Sequence, residues 1–221
     1  MGAKGLDRPA PARFKLTLMA DISTLFVTKL YRARLEGAVT LNRDLAAACR
    51  VIAKEDLAGK RWSRENGYKG YTSYASLDDL PTRDPTFGAL KKLLDRHAAS
   101  FARSLHLDLD GGKLTLDSIW INVLEPGGVH TGHVHPHSVL SGTYYVHTPP
   151  GSSALKLEDP RLPLMMAAPP RTEDAPEDAQ TFVYIDPRAG DVVMWESFLR
   201  HEVPMNESKR ARVSVSFNYG W

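Results

Sequence analysis

The chain has 221 residues and a formal net charge of +2, with 43% hydrophobic and 24% charged residues. These values are ordinary for a globular protein of one domain, and the near-neutral charge argues against a nucleic-acid-binding surface. The single cysteine, Cys49, excludes an internal disulfide framework. No apolar run reaches the roughly 18 residues of a transmembrane helix, and residues 1–16 lack the apolar stretch of a secretory signal. A reducing cytoplasm is therefore the expected compartment.

The N-terminal half predicts one strand and one helix before a long irregular segment. Residues 1–15 are rich in Gly, Pro and basic residues and predict a loose arm, whereas residues 27–35 alternate as a strand does. Asn42 is expected to cap the first helix and Gly59 to end it. Residues 60–85 show no clear period and predict a structured loop.

A second helix is predicted from Asp84, the expected N-cap, and Pro85, which suits the first helical turn. Apolar residues then recur at helical spacing and predict a buried stripe. The stripe consists of Phe87, Leu90, Leu94, His97 and Phe101. On such a face, His97 is interpreted as a structural histidine rather than a metal ligand.

The C-terminal half predicts strands, because its apolar segments are short, often alternate and are separated by Gly, Pro and Asp turns. The predicted strands are 119–124, 139–146, 153–157, 181–185, 191–195 and 212–217. Helices followed by strands indicate the α+β class, with helices backing a β-sandwich or a jelly-roll barrel. Residues 158–180 form a long aperiodic loop, for which a flap over a site is one option.

Histidines suggest a metal site in this half of the chain. His133 and His135 lie two residues apart, so in an extended chain both imidazoles point to one side. His201 follows a later predicted strand and completes a set of three ligands, which leaves positions open for substrate or dioxygen. A pair spaced in this way is a weak signal alone, and structural histidines are the alternative. His130 and His137 are expected beside the ligands or at the rim.

The last predicted strand strengthens this interpretation. Arg212, Ser214, Ser216 and Asn218 share one face, while Val213, Val215 and Phe217 take the other. A buried arginine is costly unless an anion meets it. An internal ion pair is one explanation, but beside a metal a dicarboxylate that bridges metal and guanidinium explains the pattern better.

Taken together, these motifs resemble the bacterial 2-oxoglutarate- and iron(II)-dependent oxygenases. The resemblance rests on Trp120-Ile121-Asn122, His133-Val134-His135-Pro136, Ser141-Gly142-Thr143-Tyr144-Tyr145-Val146, Asp159-Pro160-Arg161 and Arg212 to Asn218. Leu25-Phe26 and Gly67-Tyr68 extend it into the N-terminal half. The order of the motifs is specific, whereas each motif alone is not.

The resemblance implies a double-stranded β-helix, a jelly-roll or cupin-like barrel, backed by N-terminal helices. It implies one oxygenase domain over residues 1–221, with an N-terminal strand and supporting helices in 1–113 and the barrel in 114–221. The implied cofactors are Fe(II) and 2-oxoglutarate.

The site residues follow from the same resemblance. His133, His135 and His201 would hold the iron and form the catalytic centre. The co-substrate would be bound by Arg212, Ser214, Tyr145 and Asn122. Arg212 and Ser214 would hold the distal carboxylate of 2-oxoglutarate, Tyr145 would contact that carboxylate, and Asn122 would lie near the cofactor.

This chain departs from the superfamily in the charge of its predicted metal ligands. Most members of the superfamily pair a histidine with an aspartate or glutamate two residues on, where this chain has His135. Three neutral imidazoles leave the iron with one more positive charge than a site with a carboxylate. Glu125 and Asp159 are the candidates for a carboxylate that enters from elsewhere.

The expected function is hydroxylation of an unidentified substrate with release of succinate and CO2. The alternatives are a three-histidine dioxygenase of cupin type that does not use 2-oxoglutarate, and a non-catalytic ligand-binding jelly roll. Residues 66–76 and 158–180 are candidates for the substrate rim. Neither a membrane nor a nucleic acid is an expected partner, and the oligomeric state, a homodimer included, stays open.

Overall fold

The computed structural model describes residues 20–221, which form ten strands and four α-helices. The strands are β1 (Leu30–Arg34), β2 (Gly70–Thr72), β3 (Thr115–Leu124), β4 (His130–His133), β5 (Leu140–His147), β6 (Leu155–Glu158), β7 (Phe182–Ile185), β8 (Asp191–Glu196), β9 (His201–Val203) and β10 (Arg212–Gly220). The helices are α1 (Ala38–Glu55), α2 (Leu57–Glu65), α3 (Leu80–Arg83) and α4 (Pro85–Ser104). Two short 3₁₀ turns lie within the 158–180 loop.

All the strands pair antiparallel, in two sheets. One has six strands in the order β1-β8-β5-β10-β3-β2, and the other has four in the order β4-β9-β6-β7. The sheets pack on each other through a buried apolar cluster that includes Leu124 and Trp195 from the larger sheet and Leu157 and Val203 from the smaller. This is the barrel interior, and the predicted α+β class is confirmed.

The opposite face of the larger sheet packs against the helices, as the alternation in β10 requires. Val215 and Phe217 are fully buried in the same cluster as Leu90 and Leu94 of α4. Because successive side chains of a strand point to opposite faces, Ser214 points into the barrel instead. One strand therefore supplies both the helix contact and part of the polar interior.

Tyrosine hydroxyls connect the helical layer to the larger sheet. Each strand tyrosine in this set bonds to a polar side chain of a helix or its cap. The pairs are Tyr31 with His97 (2.7 Å), Tyr71 with Asp56 (2.9 Å), Tyr144 with Asn42 (2.5 Å) and Tyr219 with Asp95 (2.8 Å). These bonds satisfy polar groups that burial would otherwise leave unpaired.

The predicted start and end of the first helix were wrong. Helix α1 begins at Ala38, after Gly37 in the left-handed conformation (φ 66°), so Asn42 lies inside it. Gly59 lies inside α2, where its N–H donates to the carboxylate of the cap residue Asp56. Residues 60–85, predicted as a loop, contain most of α2, all of β2 and α3. Tertiary packing overrides the weak local pattern there.

The C-terminal prediction agrees well with the structure, since each of the six predicted strands overlaps an observed one. Two short strands, β4 and β9, were missed because three or four residues carry too little periodicity. The predicted arm at residues 1–15 lies outside the described residues. Within residues 20–221, no helix is both long enough and apolar enough to cross a membrane.

The N-cap of α4 provides a test of the helical layer. The Asp84 carboxylate accepts a hydrogen bond from the Thr86 N–H at 2.7 Å. We expect Asp84→Ala to lower the free energy of unfolding by about 1 kcal/mol in chemical denaturation, because one helix N–H loses its acceptor. Asp174→Ala, at an exposed loop position, is the control and should change nothing measurable. Equal effects of the two substitutions would contradict the capping role.

Candidate active site

Three histidines converge at one end of the β4–β9 pair in the smaller sheet. His133, the last residue of β4, pairs across the ladder with His201, the first residue of β9. His135 follows two residues later, and its N–H donates to the Ser197 carbonyl at 3.0 Å. One ring nitrogen from each of the three lies within 4.8 Å of the others. The structure thus brings together the three residues that the sequence predicts as metal ligands.

Two of the imidazoles are held in the tautomer that a metal needs. The Nδ1 atom of His133 lies 2.7 Å from the Thr131 carbonyl, and that of His201 lies 2.9 Å from the Leu199 carbonyl. A carbonyl only accepts, so Nδ1 carries the proton in both rings. The lone pair of Nε2 is then free for a metal, in the arrangement typical of metal-binding histidines.

The third imidazole is held by a side chain instead. The Asn218 amide lies 3.4 Å from Nδ1 of His135 and also bonds to the hydroxyls of Ser118 and Ser141. Ser141 is bonded in turn to Ser197, whose carbonyl holds the His135 backbone. The orientation of His135 therefore depends on a buried polar network rather than on the local backbone alone.

Burial keeps His135 and His201 neutral. Burial, reinforced by the neighbouring imidazole of His133, lowers the pKa of His201 to about 3 and that of His135 to about 4. At neutral pH both rings therefore present a lone pair, which is the form that binds a metal.

No carboxylate joins this set. Among residues 20–221, His133, His135 and His201 are the only cluster of three or more potential ligands with metal-binding spacing. Glu125 lies exposed in the turn after β3, and Asp159 is bonded to Arg161 through both carboxylate oxygens. The two acidic candidates from the sequence therefore lie away from the histidines.

The histidines open into a cavity of about 420 Å³, and Arg212 also lines it. Arg212 is 3% exposed, and it has no acidic partner within 4.0 Å among residues 20–221. Its guanidinium lies over the ring of Tyr145, 5.1 Å from the ring centroid. Ser214, which pairs with Tyr145 on one side and Asn122 on the other, also lines the cavity. The alternative explanation for this arginine, an internal ion pair, is therefore not supported among the described residues.

Unpaired polar atoms concentrate around this cavity and fit a bound dicarboxylate. Five buried side-chain atoms lack a hydrogen-bond partner among the described residues: the hydroxyls of Tyr68, Tyr145 and Ser153, Nε of Arg212 and Nε1 of Trp195. Three of these residues, Tyr68, Arg212 and Trp195, line the cavity, and each can donate a hydrogen bond. Buried polar groups in native proteins are nearly always paired. A carboxylate at Arg212 and a metal at the histidines would supply the missing acceptors and charges, so the side chains present fit iron and 2-oxoglutarate.

Two predicted co-substrate residues are placed differently from Arg212 and Ser214. Tyr145 is not among the cavity-lining residues; it lies behind the guanidinium in the barrel interior. Asn122 lines the cavity, but its amide is occupied by Thr72 and Ser216, both at 3.0 Å.

Tyr68 and His130 form part of the cavity wall, in agreement with the rim positions expected for the 66–76 segment and for His130. Their rings lie 4.8 Å apart between centroids, and both line the cavity. Burial lowers the pKa of His130 to about 3, so it too is neutral. The Gly67-Tyr68 motif was visible in the sequence, but it lies in an irregular segment where no period indicates the direction of a side chain.

Residues 118–218, from β3 to β10, match the family described as "Putative 2OG-Fe(II) oxygenase". No curated protein matches the chain. Three similar solved structures are a Pseudomonas putida prolyl-4-hydroxylase, the epimerase SnoN with Fe3+, alpha ketoglutarate and nogalamycin RO, and HygX from Streptomyces hygroscopicus with nickel and 2-oxoglutarate.

The prolyl-4-hydroxylase is 17% identical with a TM-score of 0.54, covering 87% of this chain and 88% of its own. SnoN is 15% identical with a TM-score of 0.57, covering 87% and 79%. HygX is 14% identical with a TM-score of 0.52, covering 88% and 82%. At these identities the likeness establishes the fold, and the predicted double-stranded β-helix is confirmed.

The family match covers residues 118–218, and together with the fold it supports the predicted iron- and 2-oxoglutarate-dependent oxygenase. The predicted cofactors, Fe(II) and 2-oxoglutarate, are confirmed with it. The comparisons favour this prediction over the non-catalytic alternative and over the cupin alternative without 2-oxoglutarate.

Removal of His201 tests the metal site. We expect His201→Ala to lose bound iron while the circular dichroism spectrum stays that of the wild type, because one of three ligands is gone. The measurement is metal content after anaerobic loading and desalting. His137→Ala, at an exposed position two residues beyond His135, is the matched control. Wild-type iron content in His201→Ala would exclude this residue as a ligand.

Substitution of Asn218 tests the hydrogen-bond network that orients His135. We expect Asn218→Leu to weaken Fe(II) affinity by roughly tenfold to a hundredfold, because the ring loses the group that orients it. Anaerobic competition with a metal-sensitive dye gives the affinity, and His137→Ala, at an exposed position, is the control. Wild-type affinity in Asn218→Leu would show that Asn218 does not position His135.

Proposed function

We propose that this oxygenase hydroxylates a C–H bond on an uncharged, apolar part of its substrate, with release of succinate and CO2. The observation that supports 2-oxoglutarate as its co-substrate most directly is the unpaired guanidinium of Arg212, buried in the same cavity as the histidines. A buried cation without a counter-ion is strongly destabilising, so a site that keeps one has an anionic ligand as its natural partner.

Within this proposal each group has a defined task. His133, His135 and His201 hold the iron, while Arg212 and the Ser214 hydroxyl bind the distal carboxylate of 2-oxoglutarate. When bound, the iron and the 2-oxo acid supply the oxidising chemistry with dioxygen. The barrel residues orient the ligand and keep water out, since the wall behind the site, including Trp195 and Leu155, is buried.

The outer part of the cavity supports an uncharged substrate group. Trp62, Tyr74 and Trp120 form a continuous aromatic wall, with ring centroids 6.3 Å and 5.2 Å apart. The wall ends at His135, 5.8 Å from Trp120. Arg212 is the only lysine or arginine on the cavity lining, and no aspartate or glutamate is present among the described lining residues. A charged substrate group would lose its hydration there without gaining a partner.

The two loops predicted to form the substrate rim differ in position. The 66–76 segment contributes Asn66, Gly67, Tyr68, Thr72 and Tyr74 to the cavity wall, which supports a role in substrate binding. No residue of the 158–180 loop lines this cavity. Residues at its two ends border a separate groove beside the segment 24–28.

The proposed compartment is a reducing cytoplasm, and the proposed substrate is not a nucleic acid. Cys49 supports the first point as a free, buried thiol, whose pKa burial raises to about 12. The net charge of +2 supports the second, because nucleic-acid-binding surfaces are strongly basic.

The reaction itself is tested by succinate formation. Iron-loaded protein, 2-oxoglutarate and dioxygen should yield succinate, detected by NMR, and the yield should rise when a substrate is present. Omission of iron or exclusion of dioxygen is the control. Absence of both succinate formation and 2-oxoglutarate binding in the iron-loaded protein would contradict the proposal.

Arg212 gives the sharpest test by substitution. We expect Arg212→Ala and the closer-shaped Arg212→Met to weaken 2-oxoglutarate binding by roughly a hundredfold or more while iron stays bound. Calorimetry under nitrogen gives the affinity, and Arg210→Ala, at an exposed position two residues away, is the control. If both Arg212 variants unfold and lose iron together, the guanidinium is a structural group instead.

A further inference from the structure

We infer that Tyr68 is a further co-substrate-binding residue, whose hydroxyl donates a hydrogen bond to the carboxylate held by Arg212. The inference rests on the proposed function and extends the binding pocket beyond the barrel. Tyr68 belongs to the segment between α2 and β2, outside residues 118–218 that match the oxygenase family.

The position of Tyr68 is fixed by the backbone and by packing. Its N–H donates to the Ser63 carbonyl of α2 at 2.8 Å. Its ring packs against the interior cluster that contains Leu124 and Tyr145, and His130 lies against it at 4.8 Å between centroids. The side chain therefore reaches from the helical layer into the barrel beside the cavity.

The hydroxyl of Tyr68 is buried and has no hydrogen-bond partner among the described residues. The Nε atom of Arg212 is likewise buried and without a partner, and both residues line the same cavity. The Nε–H of Arg212 only donates, whereas the Tyr68 hydroxyl can donate or accept, yet neither atom has a partner among the described residues. One anionic oxygen placed between them would satisfy both, and charge-assisted bonds of this kind are the stronger ones.

The charge state agrees with a donor role. Burial raises the pKa of Tyr68, and the positive charge of Arg212 acts in the opposite direction. The phenol therefore keeps its proton at neutral pH and can donate it. Tyr145 has an unpaired hydroxyl as well, but it is not among the residues that line the cavity.

The test compares Tyr68→Phe with the wild type, both loaded with Fe(II) under nitrogen. We expect the dissociation constant of 2-oxoglutarate to rise roughly tenfold to a hundredfold, because a hydrogen bond to a charged group is lost. The probe 2-oxovalerate has the same chain length without the distal carboxylate, so its affinity should not change. Tyr184→Phe, at an exposed position on β7, should bind both acids as the wild type does.

A second measurement separates ligand binding from folding. Without ligand, Tyr68→Phe should melt at the same temperature as the wild type or higher, since the substitution removes an unpaired buried hydroxyl. With metal-free protein and glutarate as the probe, the rise in melting temperature should be smaller in the variant.

The outcomes distinguish this inference from the proposed function. If the wild type binds 2-oxoglutarate and Tyr68→Phe binds it equally well, the inference is overturned while the proposed function stands. An equal loss of affinity for 2-oxovalerate would also overturn it, because the contact would not be to the distal carboxylate. If the wild type binds no 2-oxoglutarate, the proposed function and this inference fail together.

Discussion

The buried positive charge of Arg212 is the constraint on which the rest of the site depends. A guanidinium at 3% exposure normally lies beside a carboxylate, and the described part of this chain provides none. The barrel surrounds the charge with hydroxyls, amides and neutral imidazoles, which tolerate it but do not neutralise it. The free protein is thus built around an interaction that only a ligand completes, at a cost in stability that the apolar clusters on both sides of the larger sheet offset.

The three histidines change the charge balance of that same pocket. A metal held by three imidazoles would receive no negative charge from its ligands, so the pocket would hold two cationic centres, metal and guanidinium. A dianionic 2-oxo acid would be favoured at both ends, and the absence of a carboxylate among the described lining residues would leave it without a repulsive neighbour. The same reasoning disfavours a cationic substrate group next to the metal. The aromatic wall of Trp62, Tyr74 and Trp120 carries no formal charge, which agrees with this expectation.

The period of a strand predicted the C-terminal strands and placed His133 and His135 on one side, whereas the double-stranded β-helix and the set of three ligands came from the family resemblance. Polar and apolar residues alternate in β10, and the spacing of His133 and His135 directs two rings to one point. What the sequence could not predict arises from contacts between distant segments. Asn42 looks like a helix cap, but in the structure it bonds to the Tyr144 hydroxyl from inside α1. Tyr68 has no periodic neighbours, so its direction is set only by the packing of α2 against the barrel.

The position of Tyr68 also changes the interpretation of the N-terminal half. A layer of helices that only supports a sheet needs apolar contacts and the phenol bonds of Tyr31, Tyr144 and Tyr219. In addition, the segment between α2 and β2 places the Tyr68 side chain at the cavity that the unpaired Arg212 also lines. A ligand that engages Arg212 and Tyr68 together would join strand β10 to the segment after α2. Its binding energy would then stabilise the contact between helices and barrel, as well as the barrel interior.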